Sequence, residues 1–288
     1  MAEPNAEPSA TIRPVASDDQ KKIRFLVGKM GMEPIAVANQ KMYFNPLVVA
    51  LWVALSSVWV QWQNWWPRPE LGLFGYLTPV PAFGALSIVF MFAIDWLNRW
   101  GFEDRSSHVL RSPDLVDIPA YYSRSPASGF WVLEYNSRLV GFIALDASLD
   151  AASDAALDAA ATAVAGPKSK GKGKAKTKAD PTPKRAPATT KGTAAVASIR
   201  HFYVDEPYRP ADMADDLLSF ALEHAFGADK TLEAVRAHSS PLQGYVAKSL
   251  AKHGFVLDRK TERVGALRWQ SSIRILARNA WEARKGKQ

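Results

Sequence analysis

The sequence contains no cysteine among its 288 residues. This absence excludes disulfide bridges, cysteine–zinc sites and thiol nucleophiles, and with them the small secreted domains that depend on disulfides. The spacings of two other common sites are also missing, because neither HxxxH nor GxSxG occurs and carboxylates do not cluster as metal ligands do. The sequence therefore predicts no metal site and no serine-hydrolase site.

Net basic charge is confined to one segment of the chain. The formal net charge is +8, and residues 168–191 contain eight lysines and Arg185 against the single acid Asp180, a surplus equal to that charge. The remainder is electrically balanced, which argues against a folded basic face for polyanions. No aromatic residue interrupts the segment, so we predict no nucleic-acid binding. A solvated linker is the favoured interpretation, and weak contact with an anionic lipid surface is the alternative.

Charged residues are missing from two long apolar runs, residues 46–62 and 71–94. The first run is close to the minimum of about 17 residues for a spanning helix. Four tryptophans near its end resemble an interfacial belt: Trp59, Trp62, Trp65 and Trp66. Pro79 and Pro81 should bend or delay the second helix. We predict a transmembrane hairpin within residues 43–98, with a pair of buried core helices as the alternative.

Lysine and arginine are distributed unequally around this hairpin. Only Arg68 lies in the connecting loop, whereas basic residues precede and follow the two runs. Those residues are Lys21, Lys22, Arg24, Lys29 and Lys41 before the hairpin, and Arg99, Arg105 and Arg111 after it. The positive-inside rule therefore predicts that both termini and the bulk of the protein are cytosolic.

The rest of the chain alternates between strand and helix patterns. TIRPV (residues 11–15) predicts a strand, and the following residues predict a short helix capped by Ser17 and ended by Gly31. FWVLEYNSRLVGFIAL (residues 130–145) predicts a β-hairpin that turns at Asn136 and Ser137. Five further segments read as strand, helix, strand, helix and strand: ASIRHFYVD, DMADDLLSFALEHAFGA ended by Gly227, TLEAVRAHS, PLQGYVAKSLAKHGF ended by Gly254, and ALRWQSSIRILARN.

The helix predicted over DMADDLLSFALEHAFGA has one apolar face, which we expect to pack on a sheet. Its members are Met213, Leu217, Leu218, Ala221, Leu222 and Phe226. The predicted folded parts are a first strand and helix at 11–42, the transmembrane hairpin at 43–98, and the main domain at 99–146 and 196–283. The predicted disordered parts are the N-terminus at 1–10 and an insert at 147–195. The insert is rich first in Ala and Asp and then in Lys.

This order of elements resembles the GNAT acetyltransferase superfamily, and more closely its membrane-anchored N-acetyltransferases of the endoplasmic reticulum. In that comparison TIRPVASDDQ supplies the first strand and helix start, residues 46–94 the membrane hairpin, and DLVDIPAYY the second helix. The resemblance covers most of the chain outside residues 1–10 and 147–198. It implies an α/β (α+β) fold with a GNAT-like mixed central sheet flanked by helices.

The resemblance also implies an acetyl-CoA site. Backbone groups of Phe202, Tyr203 and Val204 would hold the pantetheine arm. The family motif R/Q-x-x-G-x-G/A, which directs the amides of a helix N-terminus at the pyrophosphate, falls on six residues. These are Arg209, Pro210, Ala211, Asp212, Met213 and Ala214. His201 and Asp205, on or beside the preceding strand, are the candidates for a general base.

Two residues depart from the family pattern. Asp212 replaces the middle glycine, and a carboxylate about 4 Å from a phosphate charge would weaken cofactor binding by about tenfold or more, even after screening. The alternative is that Asp212 caps the helix, while Asp215 and Asp216 complement its dipole. Leu250 stands where relatives carry a tyrosine acid, and Tyr245 lies about 140° away around the helix.

Two functional hypotheses remain open. The first is a membrane-anchored N-acetyltransferase that transfers acetyl from acetyl-CoA to an amine of a small molecule or a protein. The second is a catalytically silent adaptor of the endoplasmic reticulum that binds a membrane-protein client, such as a packaging factor for phosphate transporters. Short spans agree with the thinner bilayer of that organelle.

Overall fold

The computed structural model describes residues 10–149 and 192–286. The predicted disordered N-terminus, apart from Ala10, and most of the predicted insert at 147–195 lie outside the described residues. The strands on either side of the insert are longer than predicted, because one continues to Ser148 and the next begins at Thr193.

The described chain contains seven strands and seven α-helices. The strands are β1 Ala10–Pro14, β2 Gly129–Tyr135, β3 Arg138–Ser148, β4 Thr193–Val204, β5 Ala234–Ser239, β6 Val256–Val264 and β7 Trp269–Ala277. The α-helices are α1 Gln20–Tyr43, α2 Pro46–Gln63, α3 Val80–Leu110, α4 Ile118–Tyr122, α5 Met213–Ala228, α6 Gly244–Lys252 and α7 Arg278–Lys285.

The strands form one mixed sheet in the order β1-β2-β3-β4-β5-β7-β6. β4 and β5 are parallel, and the other neighbouring strands are antiparallel. The β2–β3 hairpin is confirmed, because Asn136 and Ser137 adopt φ angles of 49° and 61°, as a two-residue type I′ turn requires. The mixed central sheet with flanking helices confirms the predicted fold class.

Each face of the sheet is covered by helices. α5 buries Leu217, Leu218 and Leu222 against one face, which confirms its predicted apolar side. The opposite face packs on α1 and the segment around α4, where Ile23 and Leu115 contact the strand cluster. α5 ends at Ala228, one residue beyond the predicted stop, while Gly254, with a φ of 85°, follows the end of α6 as predicted.

The first helix is longer than the sequence suggested. It follows a 3-10 turn, Ser17–Asp19, in which the Asp19 carboxylate accepts a hydrogen bond from Ala16 N at 3.0 Å, so Ser17 is not its cap. α1 then continues through Gly31 to Tyr43. Gly31 does not end the helix; it lets α3 approach, since a Cβ there would lie 2.7 Å from Ser106 Oγ and 2.9 Å from Ser106 Cβ.

This close approach makes a direct prediction about stability. We expect Gly31→Ala to lower the free energy of unfolding by about 1–3 kcal/mol, because the added methyl group overpacks the α1–α3 contact. Gly28→Ala is the matched control, since a Cβ there meets only Leu110 Cδ1 at 3.7 Å. Alanine should stabilise the helix at that position by about 0.5–1 kcal/mol. Thermal unfolding of the full chain in detergent measures both, and equal effects would contradict the proposed contact.

The second predicted helix is divided in the structure. DLVDIPAYY forms a 3-10 turn, Pro113–Leu115, and the short helix α4, because Pro113 and Pro119 each open a new helical turn. The main helix in this region is α3, whose last turns pack on α1. Buried Asn98 joins the two helices to the β6–β7 turn: its amide nitrogen donates to Asn39 Oδ1 at 2.8 Å, and its Oδ1 accepts from Ala266 N at 2.9 Å.

Two helical segments, Pro46–Gln63 and Gly72–Leu110, are long and apolar enough to cross a membrane, and only 11% of the apolar window in each is buried. Pro79 and Pro81 lie at the start of α3, as predicted. β6 was not predicted from the sequence. It is an edge strand with a charged sequence, VLDRKTERV, and such charges protect an edge from pairing with other chains.

Candidate functional site

The candidate site lies where β4 and β5 separate. Their parallel pairing runs from Val196 and Ala234 to Ile199 and Ala237, after which β4 continues to Val204 beside β3 alone. The register with β3 shifts between Ile199 and His201, which leaves Arg200 as the extra residue of a β-bulge. The predicted pantetheine contacts, Phe202 to Val204, therefore form a strand edge at a gap in the sheet.

Two side chains of the protein occupy this strand edge. The Tyr245 hydroxyl donates to Phe202 O at 3.5 Å, and Arg209 Nε donates to Val204 O at 2.8 Å. The Arg209 guanidinium also lies 3.9 Å from the centre of the Tyr245 ring. Burial raises the pKa of the Tyr245 phenol, so its hydroxyl keeps the proton that it donates. The chain itself thus contacts both carbonyls of the predicted binding edge.

Arg209, the predicted phosphate ligand, is held by α1. Its two terminal nitrogens lie 2.5 and 2.7 Å from the two carboxylate oxygens of Glu33, which is a bidentate ion pair. α1 holds both sides of the gap, because Lys29 Nζ lies 2.6 Å from Asp205 Oδ1, while Lys41 Nζ donates to Pro241 O at 3.1 Å. A phosphate group must therefore compete with Glu33 for Arg209.

The predicted phosphate loop forms a 3-10 turn, Glu206–Ala211, that leads directly into α5. Pro210 and Ala211 end the turn, while Met213 and Ala214 begin the helix. Between them Asp212 has a φ of 53° and a ψ of 13°, the left-handed conformation that glycine adopts without strain. The backbone at Asp212 thus has a conformation that favours glycine, although the residue is an aspartate.

The acids of this loop are paired with Lys252 instead of capping the helix. Asp212 occupies the N-cap position but makes no capping hydrogen bond, and its carboxylate lies 3.6 Å from Lys252 Nζ. Lys252 also contacts Asp215 at 2.5 Å. Burial opposes ionisation of Asp215, but the hydrogen bond from Lys252 favours the charged carboxylate and lowers its pKa. The Asp212 side chain is 66% exposed, so solvent screens its charge more than the sequence argument assumed.

We therefore expect Asp212→Gly to strengthen acetyl-CoA binding by only about threefold, a value that corresponds to a weak exposed charge pair. Asp212→Asn is the matched variant, since asparagine also tolerates the left-handed conformation but carries no charge. Calorimetric titration should give similar gains for both variants. A gain for glycine alone would assign the effect to the backbone, and no gain for either would contradict a charge effect at this position.

Asp205, one of the two predicted base candidates, stabilises the local fold. Its Oδ1 accepts hydrogen bonds from the Tyr203 hydroxyl and from Glu206 N, both at 3.1 Å, and it pairs with Lys29. The carboxylate caps the turn that follows β4. Burial opposes its ionisation, yet these hydrogen bonds lower its pKa. An acid with a lowered pKa is a poor general base at neutral pH.

His201, the other candidate, belongs to a buried pair. Its Nε2 lies 2.7 Å from Asp114 Oδ2, and Asp114 also accepts hydrogen bonds from Tyr122 OH at 2.9 Å and from Ser112 Oγ. Burial opposes the charge on Asp114, but the contact with His201 lowers its pKa, so the carboxylate is ionised. His201 Nδ1 is buried and has no hydrogen-bond partner in the described part of the chain.

His201 lines a cavity of about 230 Å³ between the gap in the sheet and the helices α1 and α3. Since Nε2 is bonded to Asp114, Nδ1 is the ring nitrogen left for a ligand in this cavity. Sequence analysis identified His201 but missed Asp114. The segment DLVDIPAYY contains two acids, Asp114 and Asp117, and the sequence gives no signal that Asp114 is the one that becomes buried.

A second polar group on the cavity wall was also missed. Arg105 of α3 contacts Glu262 Oε1 and lies 3.3 Å from His238 Nε2, and all three residues line the cavity. Burial and the nearby Arg105 lower the pKa of His238 to about 3, so this histidine is neutral and accepts the hydrogen bond. Burial raises the pKa of Glu262, and Arg105 opposes that change.

Leu250, at the family position of the tyrosine acid, is buried in the core beside α5. Tyr245 does not replace it by position along the helix. Its hydroxyl nevertheless reaches the strand edge at Phe202, because it lies at the first turn of α6, directly opposite the end of β4.

No protein-family profile and no curated protein matches the sequence. Solved structures do match. The chain is similar to a GNAT-family acetyltransferase from Streptococcus pneumoniae, at 10% identity and a TM-score of 0.42 over 93% of this chain and 99% of that one. It is also similar to ribosomal-protein-S5-alanine acetyltransferase from Vibrio fischeri, at 11% identity and a TM-score of 0.39 over 94% of each chain.

A third similar structure is Arabidopsis thaliana NAA60 in complex with acetyl-CoA, at 17% identity and a TM-score of 0.35 over 53% of this chain and 77% of that one. At these identities and TM-scores the likeness carries no argument about this chain. Nothing about the activity of this chain follows from it.

Proposed function

We propose that this chain, which has a GNAT-like fold, is a membrane-anchored N-acetyltransferase in which His201 is the general base for an amine acceptor. The single observation that carries the proposal is the buried pair of Asp114 and His201 at the gap between β4 and β5. A histidine oriented by a carboxylate through one ring nitrogen presents the other nitrogen as a base.

Two side chains must move before acetyl-CoA binds. On its β5 side the strand edge at Phe202 to Val204 pairs with no strand of the described chain, and Asp212 has a left-handed backbone conformation at the start of α5. Tyr245 lies on this edge through a hydrogen bond of 3.5 Å, which is at the limit of such contacts and contributes little. Arg209 must exchange Glu33 for phosphate. Both movements are side-chain rotations.

When bound, acetyl-CoA supplies the thioester carbon to which the amine nitrogen bonds, and a sulfur that leaves with the electrons of the C–S bond and takes a proton from water. His201 Nδ1 accepts the proton that the amine loses. Asp114 stabilises the resulting imidazolium and fixes the ring. A thiol with a pKa near about 8.5 is a good leaving group, so the leucine at position 250 does not prevent the reaction.

A separate observation favours a second candidate function. The ion pair of Glu33 with Arg209 and the position of Tyr245 close the cofactor edge, as a catalytically silent adaptor of the endoplasmic reticulum would allow. Such an adaptor would bind a membrane-protein client, for example as a packaging factor for phosphate transporters.

One titration separates the two functions. Full-length protein in detergent micelles is titrated with acetyl-CoA by calorimetry. Saturable binding with a micromolar dissociation constant supports the enzyme. The absence of heat up to millimolar acetyl-CoA supports the adaptor and contradicts the acetyltransferase. Dephospho-CoA is a matched ligand that still carries the pyrophosphate.

The membrane anchor in this proposal is the hairpin of α2 and the apolar part of α3. Large apolar side chains on both helices are exposed, among them Leu47 at 81% and Phe92 at 76%, which is unfavourable in water but suits lipid. The short α2 suits the thinner bilayer of the endoplasmic reticulum, with the domain and both termini in the cytosol.

The natural lack of cysteine provides a test of this orientation without background labelling. Gln63→Cys lies at the loop end of α2, and Arg138→Cys lies at the exposed start of β3. In sealed microsomes, a membrane-impermeant maleimide added outside should label the second cysteine and leave the first unlabelled until detergent is added. Equal labelling of both sites would contradict a spanning hairpin.

A further inference from the structure

The cavity beside His201 has an unused acidic group. Glu262 Oε1 contacts Arg105, but Glu262 Oε2 is buried and has no hydrogen-bond partner in the described residues. A carboxylate has about four sites for hydrogen-bond donors, and a buried oxygen without any partner is unfavourable. Glu262 lines the same cavity as His201. A donor from a ligand would complete its hydrogen bonding.

The arginines around this cavity have their own acidic partners. Arg105 pairs with Glu262 and Arg200 Nε lies 2.8 Å from Asp146 Oδ2. Arg236 lies 3.9 Å from Asp258 on β6. Their charges are therefore balanced by residues of the protein. Glu262 Oε2 is the carboxylate oxygen on this wall that lacks a hydrogen-bond donor among the described residues, and an ammonium group can supply one.

The remaining wall is mostly apolar. It includes Met30 and Pro34 of α1, Phe102 of α3, Val246 of α6 and Val264 of β6. A cavity of about 230 Å³ is small, because pockets for drug-sized ligands usually measure about 300–1,000 Å³. The cavity therefore suits a short ligand with an apolar middle and polar ends.

His201 and Glu262 cannot serve the same nitrogen. An amine that attacks a thioester must be neutral, because an ammonium ion has no lone pair, and a base promotes that state. A carboxylate stabilises the charged ammonium instead. We propose that the acceptor is a short diamine, with one nitrogen at His201 Nδ1 and the other, as an ammonium, at Glu262 Oε2. This proposal rests on the acetyltransferase function for the role of His201.

Binding of matched amines to the full-length protein in detergent tests the proposal without any turnover. 1,4-Diaminobutane and 1-aminobutane have the same spacer and differ in the second nitrogen. Calorimetry should show that the unmodified protein binds the diamine at least about tenfold more tightly, as one additional ion pair in a buried site gives. Equal affinities for the two amines would overturn the proposal, and this comparison needs no variant.

Variants identify the residue responsible. Glu262→Gln should remove the preference for the diamine, and Glu262→Asp should keep part of it. Glu223→Gln is the matched control, because Glu223 is an exposed acid on α5 that does not line the cavity. It should leave the preference unchanged. If Glu262→Gln keeps the preference, the assignment of the second nitrogen is wrong.

The test of diamine binding and the test of the acetyltransferase function can fail independently. Diamine preference with no acetyl-CoA binding would contradict the acetyltransferase and leave the cavity as a diamine site. Acetyl-CoA binding and amine acetylation without diamine preference would contradict this inference alone.

Discussion

Replacement of His201 by alanine should lower the turnover number for amine acetylation by about 10²–10⁴-fold, the usual contribution of a positioned general base. Acetyl-CoA affinity should not change, because the proposed cofactor contacts are the backbone of Phe202 to Val204 and the Arg209 side chain, whereas Nε2 of His201 bonds to Asp114. The measurement is thiol release by the full-length protein in the presence of a diamine. Loss of affinity with unchanged turnover would contradict the proposed role.

Two controls distinguish catalysis from folding. His224→Gln changes an exposed histidine that packs on Trp131, outside the cavity, and should leave turnover unchanged. Added imidazole should partly restore turnover to His201→Ala, because the deleted side chain leaves space beside Asp114 for the same base. A variant that had merely lost its fold would not respond to imidazole.

Asp114 is a positioning residue in this scheme, because it acts through His201. Asp114→Asn keeps the size of the side chain but removes the charge that stabilises the imidazolium. Turnover should fall while acetyl-CoA affinity remains, and imidazole should not restore it, because the histidine still fills its place. Rescue by imidazole in this variant would show that His201 had been displaced.

The parts of the fold that sequence predicted depend on local pattern. The β2–β3 hairpin follows from alternating apolar residues around Asn136 and Ser137, and α5 follows from an apolar stripe, because each pattern is contained in one element. Gly31 misled the prediction of a helix end, since glycine also occurs where two helices approach closely. Only the position of α3 beside α1 shows that Gly31 serves a close helix–helix contact.

The site was less predictable because its contacts join distant parts of the chain. His201 and Asp114 are 87 residues apart, and Arg209 and Glu33 are 176 apart. A resemblance to the family pattern identified His201 and Arg209 but gave no indication of their partners. The β6 strand that carries Glu262 had too many charges to read as a strand, so the acidic group of the cavity was missed with it.

Glu33 lies on α1, the helix that precedes the apolar hairpin, and pairs with Arg209 beside the strand edge at Phe202 to Val204. We expect Glu33→Gln to strengthen acetyl-CoA binding by about tenfold or more. The variant frees the Arg209 guanidinium from a bidentate ion pair, and it removes a negative charge that would lie near the phosphates. Glu33 is more buried than Asp212, so its charge is less screened and its effect should be larger. Calorimetric titration of the full-length protein measures the change.

Glu223→Gln is the matched control, because Glu223 is an exposed acid on α5 that pairs only loosely with Lys285, at 3.4 Å. It should leave the affinity unchanged. The double variant Glu33→Gln with Arg209→Gln should lose the gain, since the benefit of the first change depends on a free guanidinium. If the double variant keeps the gain, Glu33 acts only as a nearby charge. If Glu33→Gln alone gives no gain, Arg209 is not a phosphate ligand, and the ion pair then serves to fasten α1 to the end of β4.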